Sequence, residues 1–215
     1  AEHLWQQRQD FVAELISIDE AISMASEHDG PSCLLDMGDN IGGGSAADGT
    51  LLAQALVQRH DLRSFVSLFD PQATQQAITA RIGSRLTLSM GGKTDELHGS
   101  PLTAEVTVVS LHDGKFRETA PRHGGRSDYD MGRTAIVETA NGLTIQLTSL
   151  RIPPFSLCQL TCCDLDPSAF DVIVAKGVVA PVAAYEAVCT QFIRVNTAGS
   201  TTADMERLPY RNRRW

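Results

Sequence analysis

The feature that most restricts the fold is a change of hydrophobic period near Arg85. Upstream, apolar residues recur at helical spacing. Leu4, Phe11, Val12 and Leu15 share one face of a helix predicted over residues 2–16, and Leu52, Ala55 and Leu56 share one face of another. Downstream the spacing becomes two: Leu86, Leu88 and Met90 alternate with polar neighbours, as do Ala104, Val106 and Val108. The two periods belong to different elements, so a helix-rich first third precedes a strand-rich remainder. Such a chain buries both kinds of apolar face by laying helices on a sheet. The expected class is α/β in the broad sense, an α+β arrangement with a mixed sheet and antiparallel hairpins. No linker, repeat or low-complexity stretch interrupts the 215 residues, so one domain over 1–215 is expected, with leading helices in 1–30.

Local signals place the elements. Ser17-Ile18-Asp19-Glu20 has the form of a capping box opening a helix from Ile18 to about His28, with Gly30 past its end. Cys33-Leu34-Leu35, Val172-Ile173-Val174 and Phe192–Val195 read as buried strands. Asp48 is expected to cap a helix reaching Arg59, and Asp70-Pro71 to start another that ends near Gly83. Asp113-Gly114 and Asn141-Gly142 are tight-turn signals; the second joins Thr134–Thr139 to Leu143–Thr148 as a hairpin.

Charge and cysteine usage exclude several function classes. With Lys plus Arg at 18 and Asp plus Glu at 26, the formal charge is −8, which repels phosphate backbones and argues against nucleic-acid partners. No apolar run approaches the roughly 18 residues of a membrane span. Ala1–Trp5 lacks the blocks of a signal peptide, and an odd count of five cysteines points to reduced thiols, so a cytoplasmic setting is expected. Cys158, Cys162 and Cys163 form no CxxC pair, and none of the six histidines stands in HxH or HExxH spacing, so no metal site is expected in this chain. Ser45 is not in a nucleophile elbow, and Gly42–Gly44 is not a P-loop. Arg207, Arg211, Arg213 and Arg214 read as a docking or solvated basic tail.

The chemistry concentrates between Asp36 and Asp48. Gly42, Gly43 and Gly44 in succession each disfavour ordered structure by about 1 kcal/mol relative to alanine, which implies positive φ or a close approach. The segment lies between a predicted strand and a predicted helix N-terminus, where free amides favour an anion. Asp36, Asp39 and Asn40 add two carboxylates and an amide at the strand's carboxyl end, where open α/β sheets bind ligands. The plainer reading is a turn whose Asp39 and Asn40 bond their own backbone. Lys93, after Gly91-Gly92, and Lys176, before Gly177, place ammonium groups where they can meet an anion; an exposed or snorkelling lysine is the plainer reading of each.

In order along the chain, these motifs resemble the C-terminal domain of the microcystinase C-like (MlrC) metallopeptidase family. The resemblance is carried by Asp36-x-x-Asp39-Asn40-x-Gly42-Gly43-Gly44-x-x-x-Asp48, Asp70-Pro71, Gly91-Gly92-Lys93, Gly99-x-Pro101-Leu102, Thr148-Ser149-x-Arg151, Lys176-Gly177 and Leu208-Pro209-Tyr210. The chain departs from it at Ile41, where many relatives have proline, and in Val178–Pro181, which lacks a histidine. The resemblance implies a bacterial-type zinc peptidase or amidohydrolase, whose zinc and acid/base glutamate belong to an N-terminal catalytic domain absent from these residues. The present chain would complete the cleft around a peptide or amide substrate and would be inactive alone, and a homo-oligomer is compatible with the resemblance. Asp36, Asp39, Asn40, Gly42, Gly43, Gly44, Asp48, Lys93 and Lys176 are the residues expected to face substrate or cleft. The alternative is a free-standing module that holds a small anion in the Gly42–Gly44 loop.

Overall fold

The structure is a computed structural model and describes residues 1–11, 14–120, 123–208 and 211. In chain order the elements are α1 (Glu2–Gln6), α2 (Ile18–Ser26), β1 (Ser32–Asp36), α3 (Leu51–Leu56), β2 (Ser64–Phe69), α4 (Pro71–Ala80), β3 (Arg85–Met90), β4 (Leu102–His112), β5 (Lys115–Arg117), β6 (Asp128–Asp130), β7 (Thr134–Thr139), β8 (Leu143–Thr148), α5 (Cys158–Thr161), β9 (Val172–Ala175), α6 (Val182–Tyr185) and β10 (Gln191–Val195). Eight strands form one mixed sheet in the order β10-β1-β9-β2-β8-β7-β4-β3, and β5 and β6 pair as a separate ribbon.

The sheet has two halves with different physics. From β10 to β8 the strands are parallel. Parallel strands are covered on both faces and need no polar alternation. Accordingly every residue of β1, β8 and β9 is buried. Leu34, Val66, Val174 and Ile193 point to one side, against Ile22 and Ala25 of α2, Leu52 and Leu56 of α3, and Ala73 and Ala77 of α4. Cys33, Leu35, Phe65 and Ile173 point to the other, against Leu160 of α5 and Ala184 and Tyr185 of α6. From β8 to β3 the pairing is antiparallel, and β3 alternates exposed and buried residues. That is why the period of two is visible only in this half.

The caps are as expected in two cases. Ser17 Oγ accepts from the Glu20 amide at 3.3 Å, and Asp70 Oδ1 from the Ala73 amide at 2.9 Å. The Asn141-Gly142 turn closes the β7–β8 hairpin with Gly142 at φ +88°, and the Asn141 amide donates to the Val57 carbonyl, tying the hairpin to the end of α3.

Two expectations are corrected. The helix over 2–16 stops at Gln6 and is followed by a 3-10 turn over Arg8–Phe11; Leu4 and Phe11 stand exposed, without the packing that sustains a short helix, and Val12 lies outside the described residues. Asp48 does not cap α3: Thr50 occupies that position, and the helix ends at Leu56, short of Arg59. Asp113-Gly114 makes the expected turn, leading from β4 into β5 with Gly114 at φ +71°, and β5 then pairs with β6. The structure also adds β2, a central parallel strand that periodicity passes over. Of the basic tail, Arg207 pairs with Asp204 at 3.0 Å, while Arg213 and Arg214 lie outside the described residues. No helix among the described residues is long and apolar enough to cross a membrane.

Candidate functional site at the carboxyl edge of the parallel strands

Because β1, β2, β8, β9 and β10 run the same way, their carboxyl ends share one edge of the sheet. That edge gathers Asp36 from β1, Asp70 after β2, Lys176 after β9 and Thr197 after β10. The centre is an ammonium between two carboxylates. Lys176 Nζ lies 2.8 Å from Asp39 Oδ2 and 3.3 Å from Asp36 Oδ2, and donates to the Gly49 carbonyl at 2.7 Å. All three side chains are almost completely buried, at 3 %, 1 % and 4 % exposure.

Burial of this depth is tolerable only because each charge is paired and its remaining valences are filled. Asp39 Oδ1 accepts from Ser45 Oγ and the Ala47 amide, both at 2.7 Å, and Oδ2 also accepts from the Gly49 amide at 2.7 Å. Asp36 Oδ1 accepts from Thr197 Oγ1, which in turn accepts from the Gly38 amide at 2.7 Å. Burial alone raises the Asp39 carboxyl; the Lys176 charge and the bonds from Lys176, Ser45 and Gly49 outweigh it and hold Asp39 far below the ordinary carboxylate range. Burial alone lowers the Lys176 ammonium, and the charges of Asp39 and Asp36 reverse the sign and raise it.

The glycines serve this packing. A Cβ on Gly49 would stand 2.7 Å from Asp39 Oδ2, and one on Gly43 would stand 2.8 Å from Thr201 Cγ2. Gly44 has φ +95° and open space around its Cβ position. The loop is a single 3-10 turn over Ile41–Gly43 and does not open α3, which begins only at Leu51, and the amides of Gly43, Gly44 and Ser45 already donate to the carbonyls of Asn40 and Ile41. That removes the premise for an anion held by these amides.

Asp48 and Lys93 have different neighbours from those expected of them. Asp48 Oδ2 accepts from the amides of Lys93 and Thr94 and from Thr94 Oγ1, each at 2.9 Å, and so fastens the Gly91–Thr94 turn beside the loop. Lys93 Nζ meets Asp70 Oδ2 at 2.8 Å, so its charge is already answered. Asn40 is the exception. Its amide donates to Thr201 Oγ1 at 2.9 Å, whereas its half-buried carboxamide lies over Gly42 and Gly43 and makes no hydrogen bond among the described residues. A cavity of about 10 Å³, room for a single water, lies beneath the loop between Ile41, Ala47, Phe69, Thr148, Lys176 and Tyr185.

The structure therefore brings Asp36, Asp39 and Lys176 into one buried cluster, keeps Asn40 and Gly42–Gly44 on the rim, and sets Asp48 and Lys93 in an adjoining turn. Two participants lie outside the sequence reading. Thr197 was findable as the polar residue two positions after the predicted last strand. His98 closes the edge: Nε2 accepts from the Ser200 amide at 3.1 Å, Nδ1 donates to Asp95 Oδ1 at 2.8 Å, and Nε2 stands 3.9 Å from Asp39 Oδ1. Among the described residues no three His, Cys, Asp or Glu side chains are grouped so as to hold a metal ion.

Comparison with known proteins agrees with this architecture. Microcystinase C of Sphingomonas sp. is 32 % identical over 122 residues, which is 56 % of this chain and 23 % of that protein. A crystal structure from Mesorhizobium sp. BNC1, described as a candidate metallopeptidase, superposes with a TM-score of 0.87 at 23 % identity, covering 99 % of this chain and 42 % of the other. The chain thus spans less than half the length of either relative. The model of the MlrC C-terminus matches residues 34–212, from β1 through the carboxyl-edge loops and β10 into the tail, and the chain belongs to that family.

Proposed function

We propose that this chain is the C-terminal, cleft-completing domain of a zinc-dependent peptidase or amidohydrolase, inactive alone, whose metal and acid/base group reside in an N-terminal catalytic domain of the same protein. The family assignment and the longer relatives support a peptidase-related domain. The observation that carries the reading is the uncommitted Asn40 carboxamide, presented on a loop anchored by the buried Lys176, Asp36 and Asp39. A group that must orient substrate profits from a rigid support.

The carboxylates themselves do not fit a metal ion. Their cation is Lys176, and a divalent ion beside Asp39 would face that ammonium and displace the Ser45, Ala47 and Gly49 donors. In this reading Asp36, Asp39, Asp48 and Lys176 position the rim, and Asn40 with Gly42–Gly44 meets a peptide or amide substrate. The five free cysteines suit a cytoplasmic setting.

The test uses the longer natural protein, assayed for bound zinc and for hydrolysis of linear peptides. Asn40→Ala is expected to lower kcat/KM by about ten- to a hundredfold, the range for one lost orienting hydrogen bond, with the melting temperature unchanged. A longer protein without metal or peptide hydrolysis, or full activity in Asn40→Ala, would refute the reading.

A further inference from the structure

Next to this rim, two arginines leave the same end of the sheet with no carboxylate partner among the described residues. Arg133 immediately precedes β7 and Arg151 follows β8. Thr134 pairs with Thr148, and the Ser149 amide donates to the Arg133 carbonyl at 3.0 Å, so the backbone brings the two segments together. Both side chains are exposed. The Arg151 guanidinium lies 4.8 Å from the centroid of the Phe69 ring, and Arg133 Nη1 donates to Gln75 Oε1 at 2.8 Å. Phe69 and Gln75 belong to one continuous β2–α4 segment, and Phe69 also lines the cavity under the Ile41–Gly44 loop. Among the described residues neither guanidinium has an acidic partner, whereas the nearby Lys93 is answered by Asp70.

In a chain of formal charge −8, two adjoining unanswered arginines at a functional edge require an explanation. A guanidinium resting over an aromatic ring is restrained by it while its N–H groups stay free, and a free guanidinium takes a carboxylate through two parallel hydrogen bonds. We infer that Arg151, seconded by Arg133, is a carboxylate-binding site on the rim, and that, on the peptidase reading above, it selects substrates bearing an acidic side chain or a free C-terminus near the cleaved bond. The site is built from the β2–α4 segment and the segments flanking the β7–β8 hairpin. It is separate from the buried Lys176 cluster, whose carboxylates and ammonium satisfy one another.

Two arms test this. In the first, the 215-residue chain is titrated with succinate at constant ionic strength, and the arginine Nε–H resonances are followed by NMR, with inorganic phosphate and chloride as comparison ions. A saturable shift at Arg151 is expected, weakened about tenfold in Arg151→Gln and only partly restored in Arg151→Lys, which keeps charge without the planar fork. No saturable shift, succinate binding unchanged in Arg151→Gln, or phosphate binding tighter than succinate would overturn the assignment. In the second arm, the longer protein is offered one peptide with its carboxylate free or amidated. Arg151→Gln is expected to raise KM for the free form alone; equal effects on both forms would overturn the substrate role. The first arm needs no catalysis, so loss of the peptidase reading and loss of the binding site are told apart.

Discussion

Replacing Lys176 by methionine keeps most of the side-chain volume and removes the cation that lies between two buried carboxylates. Asp36 and Asp39 are at most 4 % exposed, so water cannot substitute for the ammonium. Removing one partner of a buried ion pair destabilises proteins by about 3–5 kcal/mol. For a domain of this size each kcal/mol moves the melting temperature by about 2–4 °C, so the variant is expected to melt roughly 6–20 °C below the wild type at pH 7.

The pH dependence carries a sign. In the wild type Asp39 is depressed, so its contribution is present above the unfolded value of about 3.9 and is lost as pH falls through the folded value; Lys176 is raised, so its contribution is present below about 10.4 and is lost as pH rises further. Between these limits the cluster adds a flat term. In Lys176→Met the Asp39 carboxylate is buried without its cation, its folded value rises, and stability improves as pH falls from 8 to 5. Thermal melts by circular dichroism across that range read both effects, and adding Asp39→Asn should recover part of the loss. A variant that melts within about 2 °C of wild type at neutral pH, with the same pH profile, would refute the claim that this ion cluster anchors the loop.

Other substitutions probe the same edge. Gly49→Ala should lower stability by more than Gly44→Ala, because its Cβ meets Asp39 Oδ2 at 2.7 Å whereas Gly44 has space and carries only its φ of +95°, worth about 1–2 kcal/mol; urea denaturation of the pair checks the order. Asp70→Ala removes the α4 cap, the acceptor of the Gly91 amide and the partner of Lys93, and should lower the unfolding free energy by about 2 kcal/mol or more, read from the urea midpoint.

Much of the fold is legible where a signal is local. Ser17 and Asp70 cap the helices they precede, Asn141-Gly142 turns the hairpin it interrupts, and β1, β9 and β10 coincide with short apolar runs. What is not legible depends on partners far away in sequence. Ser64–Phe69 becomes a central strand because β9 and β8 lie on either side of it, and a strand covered on both faces shows no alternation. Asp48 fails as a cap because the amides of Lys93 and Thr94, brought close by the fold, hold its carboxylate. The candidate site follows the same division. That Asp36 and Lys176 each end a strand is readable locally; that they touch, 140 residues apart, follows only from β1 and β9 being neighbours. The glycine run was readable as unusual backbone, but its close neighbours come from the protein's own Asn40 and Thr201.

The most direct test of the central claim is a crystal structure of the longer protein with its metal located by anomalous scattering. The expected result is an ion ligated wholly by residues outside this domain, with the Asn40 carboxamide and the Gly42–Gly44 backbone lining the same cleft. An ion held by Asp36 or Asp39, or a metal cleft from which Asn40 is turned away, would contradict it.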